Sequence, residues 1–162
     1  VNYITKTLLN ESLNENFDNL HKLGVKIVIR GSIEKLDKTL KDKILNAQKK
    51  TLNNKSISLV IAFDYGGRNE IVNTVKEIIK DNIKLSKIDE NLFNNYINKD
   101  AIPDPDLIIR TGGEYRLSNF LIWQSAYSEF YTSEVLWPDF TKIDFYDALK
   151  SYSLRNRRFG TD

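Results

Sequence analysis

The sequence predicts an α/β protein with a mainly parallel central sheet and helices on both faces. Apolar segments of strand length alternate with segments of helical periodicity, which is typical of βαβ units. One segment, Ile57–Phe63, is continuously apolar, as expected for a strand that is covered on both faces. The 162 residues contain no linker, repeat or low-complexity tract, so a single domain over residues 1–162 is the simplest organisation.

The first half of the chain predicts two helices, each followed by a strand. Apolar residues at helical spacing predict a helix over residues 1–22, and Gly24 follows it as a stop signal. Val25–Ile29 is predicted to be a strand. A second helix is expected over residues 33–50, with Ser32 as its N-cap, and Ile57–Phe63 follows it. The predicted buried stripe of the second helix consists of Leu36, Leu40, Ile44 and Leu45.

The second half of the chain predicts more helix than strand. Apolar residues at i, i+4 spacing predict a helix over residues 67–80, and a shorter helix is expected over about 89–97. The segment Ile102-Pro-Asp-Pro interrupts the chain before a strand at 106–110. The remaining predicted elements are a helical turn from about Asn119, a short strand at Phe130–Thr132 and a last helix over 141–157. Parallel crossovers are right-handed, so the strands should end at one shared edge, beyond which ligands bind.

The composition argues against several classes of protein. The net charge of +2 gives no support to a nucleic-acid partner. The absence of cysteine excludes a disulfide framework and zinc ribbons, and it fits a reducing compartment. The apolar runs are far shorter than the roughly 20 residues that span a bilayer. We therefore expect a globular protein of the cytoplasm.

Arginines are concentrated where the predicted strands end. The chain has seventeen lysines and seven arginines, and four of the arginines lie at or just after strand ends: Arg30, Arg68, Arg110 and Arg116. A lysine suffices as a general surface cation, whereas a bidentate contact with an oxyanion requires the guanidinium fork. Two of the strand ends also carry a Gly-Gly pair, which can bring backbone N–H groups close to a ligand.

The stretch over residues 106–124 is the most informative. Its strand ends at Arg110, and a Gly-Gly pair, Glu114 and Arg116 follow. One hypothesis is that the two arginines bind a phosphate or diphosphate through bidentate hydrogen bonds. The other is that they form structural ion pairs, for which the candidate partners are Glu114, Asp64 and Asp106. The local pattern leaves both hypotheses open.

Three further side chains near this stretch allow alternative interpretations. Glu114 orients one of the arginines or acts as an acid or base, and its position between them favours the first. Ser118 donates its hydroxyl to a phosphate oxygen or caps a helix after it. Glu129 is a hydrogen-bonded residue at the edge of the core, which spacing favours, or a ligand of a hard cation. The aromatic residues over 120–137 are interpreted as core or interface and not as a substrate cage.

Several common sites have no counterpart in the sequence. There is no Walker A motif and no Gly-x-Gly-x-x-Gly fingerprint. His21 is the only histidine, and it falls at the end of the first predicted helix. We interpret it as a surface or C-cap residue, so histidine triads and histidine metal clusters are not expected.

The stretch from Arg110 to Gln124 closely resembles the signature of the cis-prenyltransferases, the undecaprenyl diphosphate synthase family. The resemblance continues through Ala126–Tyr131, Leu136–Phe140 and Arg155–Gly160, and Ala62–Arg68 is similar to the family's Asn-Tyr-Gly-Gly-Arg element. It covers essentially the whole chain. A set of motifs this long and in this order is highly specific.

The resemblance implies a transferase that extends an allylic diphosphate, expected to be farnesyl diphosphate, with isopentenyl diphosphate units in cis geometry. The product would be an undecaprenyl-type diphosphate, a lipid carrier for cell-wall synthesis, and Mg²⁺ would be required. The implied substrate-binding residues are Arg110, Arg116, Leu117 and Ser118, with Glu114 as their orienting partner and Glu129 as an Mg²⁺ ligand. The resemblance also implies a homodimer with at most peripheral membrane contact.

The chain departs from the family pattern in ways that bear on activity. The family begins with an Asp-Gly-Asn-Gly-Arg-Trp segment that carries a metal-binding aspartate, and a Phe-Ser-x-Glu-Asn-Trp segment comes later; neither occurs here. The chain contains no Met, and Val1 lies inside a predicted helix. We therefore expect a piece of a longer protein, without the first strand and without the catalytic aspartate, so no catalytic residue is assigned.

Two single positions also differ from the family. Asp64 replaces the usual Asn, and Arg30 stands where an apolar residue is more common, so Arg30 receives no role. The leading interpretation is the isopentenyl diphosphate half-site of a cis-prenyltransferase. The alternatives are a non-catalytic partner subunit of a heteromeric prenyltransferase and a generic phosphate-binding α/β module.

Overall fold

The computed structural model of the chain describes residues 17–156. Parallel strands alternate with helices, so the predicted α/β class is confirmed. The chain divides between Gly66 and Gly67 into two compact units, each of which contains one pair of hydrogen-bonded parallel strands. The single-domain organisation stays a prediction.

The first unit is built on a βαβ motif. Strand β1 (Val25–Gly31), helix α1 (Lys38–Thr51) and strand β2 (Ile57–Phe63) follow one another, and the strands pair in register from Val25 with Ile57 to Gly31 with Phe63. Thr51 is fully buried and accepts the N–H of Ile27 at 3.0 Å, which ties the helix to the strand. The core of this unit comprises Val25, Ile27, Val28, Leu40, Ile44 and Ala47. Residues 17–22 are helical, and the rest of the predicted first helix lies outside the described residues.

Helix α1 begins later than the sequence predicted. The prediction placed its start at residue 33 with Ser32 as N-cap, but the Asp37 carboxylate accepts the N–H of Leu40 at 3.0 Å and so caps the helix. The Ser32 hydroxyl instead accepts the N–H of Glu34 in a local turn. The predicted buried stripe was also wrong at two positions. Leu45 is 49% exposed, and Leu36 lies before the helix and is half-buried, whereas Ala47 is buried.

Strand β2 has the predicted bounds but not the predicted burial. Ile57 is 64% exposed and Leu59 is 39% exposed. Among the described residues β2 pairs only with β1, so it is the edge of a two-stranded ladder. The expectation that both of its faces are covered is therefore wrong for the described part of the chain.

The second unit contains three helices and the other pair of strands. Helix α2 (Gly67–Lys80) has the predicted bounds, helix α3 (Glu90–Ile97) starts one residue later than predicted, and Asp89 caps it by accepting the N–H of Leu92 at 2.8 Å. Strands β3 (Leu107–Thr111) and β4 (Glu129–Ser133) pair in parallel. Helix α4 (Lys142–Ser153) ends four residues before the prediction. The core of this unit includes Ile78, Ile97, Ile108 and Ala148.

The connection between β3 and β4 differs most from the prediction. A helical turn was expected from about Asn119, but residues 118–127 form turns and bends. Ser118, Asn119 and Leu121 have φ angles of 48°, 67° and 43°, which belong to the left-handed region. A right-handed helix cannot continue through such residues, because every residue in it needs a negative φ.

None of the helices within residues 17–156 combines the length and the apolar character needed to cross a bilayer.

Candidate functional site

A cavity of about 410 Å³ lies at the C-terminal ends of β3 and β4 in the second unit. It contains most of the substrate-binding residues that the sequence suggested. Arg110, Glu114, Arg116 and Leu117 all line it. The structure therefore brings together side chains that the sequence could place only along one stretch of chain.

The register of the two strands explains how the cavity acquires a polar and an apolar part. Ile108 pairs with Phe130, and Arg110 pairs with Thr132 two residues further along. Residues two apart on a strand share a face of the sheet. This face therefore carries two apolar side chains and then, toward the strand ends, a guanidinium and a hydroxyl. Leu117 and Phe120 add apolar surface, and Glu114 and Arg116 add charge.

Arg116 and Glu114 form an ion pair at the cavity, and their side chains are 63% and 40% exposed. An exposed pair of this kind contributes about 0–1 kcal/mol to stability, so its main effect is on orientation. This contact agrees with the interpretation that Glu114 orients an arginine. It also means that one of the structural ion pairs considered for Arg116 does form.

Arg110 lies in a different environment. Its side chain is half-buried, and no carboxylate of residues 17–156 lies within ion-pair distance of it. The alternative partner Asp64 pairs with Lys35 at 2.8 Å. A half-buried guanidinium that the described carboxylates leave unneutralised favours an anionic ligand over a structural role.

The Gly112-Gly113 pair serves the turn and not the ligand. Both glycines have positive φ angles, 81° and 70°. The N–H of Gly112 donates to the carbonyl of Val135, and that of Gly113 donates to the carbonyl of Ser133, each at 2.9 Å. The sequence suggested that these amides would approach a ligand, and the structure shows that they extend the contact between the β3 and β4 strand ends instead. The groups available to bind an anion at the cavity are therefore the side chains of Arg110 and Arg116, and not the amides of the Gly-Gly pair.

Backbone amides that follow Gly66, at the second Gly-Gly pair, are also bonded within the protein. The N–H groups of Gly67 and Arg68 at the start of α2 both donate to Asn119, to its carbonyl at 2.7 Å and to its Oδ1 at 2.9 Å. Neither Gly67 nor Arg68 lines the cavity. The amides at this helix end are thus satisfied within the protein.

Two roles were considered for Ser118, a helix cap and a hydrogen-bond donor to phosphate. It is exposed, and no helix begins after it, so the capping interpretation is wrong. It directly follows Leu117 but is not one of the residues that line the cavity. Its predicted role as a phosphate donor stays a prediction.

Glu129 lies at the start of β4 and is half-buried. Its Oε2 accepts a hydrogen bond from Arg155 Nη1 at 2.7 Å. Within residues 17–156 no group of three acidic, histidine or cysteine side chains is placed to hold a metal ion. Mg²⁺ is often held by one or two carboxylates together with phosphate oxygens and water. Glu129 could supply one such ligand, but the described residues by themselves do not complete a magnesium site.

Arg30, Asp64 and His21 are not among the residues that line the cavity. Arg30 is within β1, and Asp64 follows β2, both in the first unit. His21 is exposed, as predicted for a surface residue, and its Nδ1 lies 3.0 Å from Asn54 Nδ2. Phe120 and Phe130, which the sequence analysis assigned to core or interface, line the cavity.

Sequence reasoning missed two kinds of residue. Thr111 and Thr132 add hydroxyl groups to the cavity, and the alternation of side chains along β4 could have indicated Thr132. The buried Gln124, only 1% exposed, donates to Glu70 at 3.0 Å. Nothing in the local pattern around Gln124 signals that contact.

The fold and the cavity define an α/β protein with an arginine-bearing cavity, part polar and part apolar, at the ends of parallel strands. Residues 1–160 match the family described as "Putative undecaprenyl diphosphate synthase". The chain therefore belongs to the undecaprenyl diphosphate synthase family, the cis-prenyltransferases.

Curated relatives carry names from the same family. The chain is 44% identical to an isoprenyl transferase of Clostridium perfringens over 164 residues, which cover 99% of the chain and 64% of the relative. It is also 44% identical to a farnesyl-diphosphate-specific ditrans,polycis-undecaprenyl-diphosphate synthase of Photorhabdus laumondii, with 92% and 60% covered. The chain thus spans slightly less than two thirds of the length of these relatives.

Solved structures agree with the sequence matches. A probable undecaprenyl diphosphate synthase of Campylobacter jejuni has a TM-score of 0.83 and 32% identity, and the match covers 95% of this chain and 72% of that one. Lavandulyl diphosphate synthase of Lavandula x intermedia, solved with dimethylallyl diphosphate, has a TM-score of 0.87 and 32% identity, with 94% and 68% covered.

Proposed function

We propose that this chain supplies the isopentenyl diphosphate half-site of a cis-prenyltransferase that makes a polyprenyl diphosphate. The observation that carries the proposal is Arg110, a half-buried guanidinium in the cavity without a partner among the described carboxylates. The formal charge of Arg110, Arg116 and Glu114 together is positive, which suits a diphosphate. The apolar side chains beside them suit a short hydrocarbon.

The chemistry of chain extension fits a site of this kind. When the new carbon–carbon bond forms, the allylic substrate loses its diphosphate and isopentenyl diphosphate loses a proton. The isopentenyl unit keeps its own diphosphate throughout. Its site must therefore hold a diphosphate from binding to product, which fixed arginine side chains can do through charge-assisted hydrogen bonds.

We assign the remaining roles within the same proposal. Arg110, Arg116, Leu117 and Ser118 bind isopentenyl diphosphate, Glu114 orients Arg116, and Glu129 contributes one ligand to Mg²⁺. Mg²⁺, when bound, would neutralise diphosphate charge. Farnesyl diphosphate, which is named in the description of the Photorhabdus relative, is the proposed allylic substrate.

The protein is further proposed to act as a cytoplasmic homodimer with at most peripheral membrane contact. Large apolar side chains that are exposed over residues 137–154 support the dimer. Trp137 is 71% exposed and Ile143 is 73% exposed. Tyr146 and Leu154 are exposed as well. Where exposed apolar side chains form one patch, they mark a protein interface.

Calorimetric titration of isopentenyl diphosphate into the 162-residue chain tests the proposal. We expect saturable binding that inorganic diphosphate competes for, and no binding of isopentenol, which lacks the diphosphate. We also expect no transfer from farnesyl diphosphate to labelled isopentenyl diphosphate by this chain alone, because the Asp-Gly-Asn-Gly-Arg-Trp segment is absent from its sequence. Absence of diphosphate-dependent binding would refute the half-site.

A non-catalytic partner subunit of a heteromeric prenyltransferase is the second candidate, because such subunits resemble the family but lack its catalytic aspartate. Such subunits usually also lose the Arg-x-Gly-Gly-Glu-x-Arg cluster, which is intact here from Arg110 to Arg116. Supplying the missing segment separates the two candidates. Turnover by the combined protein without any further subunit supports the catalytic candidate.

A further inference from the structure

The segment that follows Arg116 is attached to the first turn of helix α2. The carbonyl of Asn119 accepts the N–H of Gly67 at 2.7 Å, and its Oδ1 accepts the N–H of Arg68 at 2.9 Å. Gln124 Nε2 donates to Glu70 Oε2 at 3.0 Å. The first N–H groups of a helix have no partner within it, so an outside acceptor must satisfy them. Asn119 therefore caps the N-terminus of α2 from outside the helix, and it lies 51 residues from Arg68 along the chain.

The contact between the segment and the helix is close. A Cβ atom built on Gly67 would lie 3.0 Å from the backbone nitrogen of Ile122 and 3.1 Å from its Cγ1. A larger residue at this position would require its neighbours to shift by a few tenths of an ångström, so glycine suits the close approach. Gln124, the other point of attachment, is 1% exposed. The segment is therefore packed against α2 as well as hydrogen-bonded to it.

The backbone of the segment is held in an uncommon conformation. Ser118, Asn119 and Leu121 all have φ angles in the left-handed region, and none of them is glycine. Such residues persist only where the surrounding contacts determine them. Asn tolerates this region better than most residues, whereas Leu does not. Asn119, which carries the hydrogen bonds to α2, lies between the other two residues.

We propose that Asn119 is a positioning residue for the substrate site, which holds Arg116 and Leu117 at the cavity by fixing the chain that follows them to α2. Leu117 is two residues from Asn119, and Arg116 is three. Within residues 17–156, the Arg116 side chain forms its ion pair with Glu114, which lies on the same loop. The Asn119 hydrogen bonds join this loop to α2 three residues after Arg116, and Trp123 further along donates to Asn94 of α3 at 3.3 Å. The inference rests on the proposed binding of isopentenyl diphosphate.

Two properties of Asn119 can be separated by substitution. Asn119→Gly keeps the left-handed backbone accessible and removes the Oδ1 acceptor. Asn119→Asp keeps an acceptor at the same place, and a carboxylate is a good N-cap. Asn82→Gly is a matched control, because Asn82 also has a positive φ, 53°, but lies just after the other end of α2 and outside the cavity.

The test is calorimetric titration of isopentenyl diphosphate into the 162-residue chain and these variants, at a temperature where circular dichroism shows each to be folded. We expect Asn119→Gly to raise the Kd about fivefold, the equivalent of one lost positioning hydrogen bond. Asn119→Asp should restore the Kd to within about twofold of wild type, and Asn82→Gly should leave it unchanged. Exchange of the Arg68 amide proton, followed by NMR, reports the cap directly.

Three results would overturn the inference. An unchanged Kd in Asn119→Gly, with accelerated exchange of the Arg68 amide, would show that the cap stabilises α2 only. A Kd in Asn119→Asp as weak as that of Asn119→Gly would show that the hydrogen-bond acceptor is not what matters. If Asn119→Gly fails to fold, Asn119→Asp is compared with wild type instead, and a Kd more than about fivefold above wild type would contradict the inference. No binding by wild type would refute the proposed function, and this inference with it.

Discussion

Arg155 Nη1 lies 2.7 Å from Glu129 Oε2, so the carboxylate proposed as a magnesium ligand is paired with a cation from the end of the last described helix. A cation at this distance lowers the attraction of the carboxylate for a metal ion. The pair connects two of the family-like motifs, one in β4 and one beyond α4. It also gives the first prediction.

Arg155→Ala should strengthen metal binding at Glu129. Removing one charge about 4 Å from a cation in water corresponds to about 1 kcal/mol, or about fivefold in affinity. Electron paramagnetic resonance with Mn²⁺ in place of Mg²⁺, in the presence of inorganic diphosphate, would measure it. Lys150→Ala controls for the lost charge on the same helix end. If Arg155→Ala,Glu129→Gln shows the same gain, Glu129 is not the ligand.

The planar, bidentate geometry of the Arg110 guanidinium should contribute more to the affinity for isopentenyl diphosphate than its charge alone. We expect Arg110→Ala to raise the Kd for isopentenyl diphosphate roughly ten- to hundredfold, because it removes charge-assisted hydrogen bonds. Arg110→Lys should recover part of the loss, since it keeps the charge without the bidentate geometry. Lys80→Ala, an exposed lysine at the end of α2, is the control for net charge. Equal affinities for Arg110→Lys and wild type would contradict a bidentate contact.

Glu114 and Arg116 should behave as one unit in steady-state kinetics. In an assay that supplies the missing aspartate segment, Arg116→Ala should raise the KM for isopentenyl diphosphate. Glu114→Gln removes the ion pair with little change in shape, so a smaller rise is expected. The double variant should resemble Arg116→Ala, because residues in contact are not additive. Additive effects, or an unchanged KM in Arg116→Ala, would speak against the orienting role.

Gly31→Ala should destabilise the protein strongly. Gly31 has a φ of 102°, and an added Cβ would lie 2.1 Å from the backbone carbonyl oxygen of Phe63. We expect a loss of more than about 2 kcal/mol in the free energy of unfolding, measured in urea. Gly24→Ala is the comparison, because its φ is 73° but the nearest obstacle is the hydroxyl of Ser56. That hydroxyl can move, so a smaller loss is expected, and equal losses would show that backbone obstruction is unimportant.

Helix α4 should lose part of its stability in acid. Hydrogen bonds from the side chain and then the backbone of Thr141 lower the pKa of Asp144 below its ordinary value of 3.8. A carboxyl group with a lowered folded-state pKa stabilises the folded state above its unfolded pKa, and the contribution is lost as the pH falls through the folded value. The difference in melting temperature between wild type and Asp144→Asn should therefore be largest near pH 6 and shrink below about pH 4. A difference that does not change with pH would exclude this linkage.

The sequence by itself determined the class of fold, the family and most of the cavity. Helix α2 and strand β2 have the predicted bounds because their apolar periodicity and flanking glycines are local signals. The concentration of arginine at strand ends singled out Arg110 and Arg116, and both line the cavity. These inferences needed only short-range preferences and residue chemistry.

The tertiary structure decided which hydrogen-bond partners the residues at these positions have. It gave the amides of Gly112 and Gly113 to the carbonyls of Val135 and Ser133, where the sequence suggested a ligand. It placed Asn119 at the start of α2 and so replaced an expected helical turn by a left-handed segment. Hydrogen-bond partners that lie tens of residues apart are selected by the packing of whole elements. A local pattern of residues does not predict such long-range partners. For this reason only the folded chain shows which contacts fix the loop that carries Arg116 and Leu117.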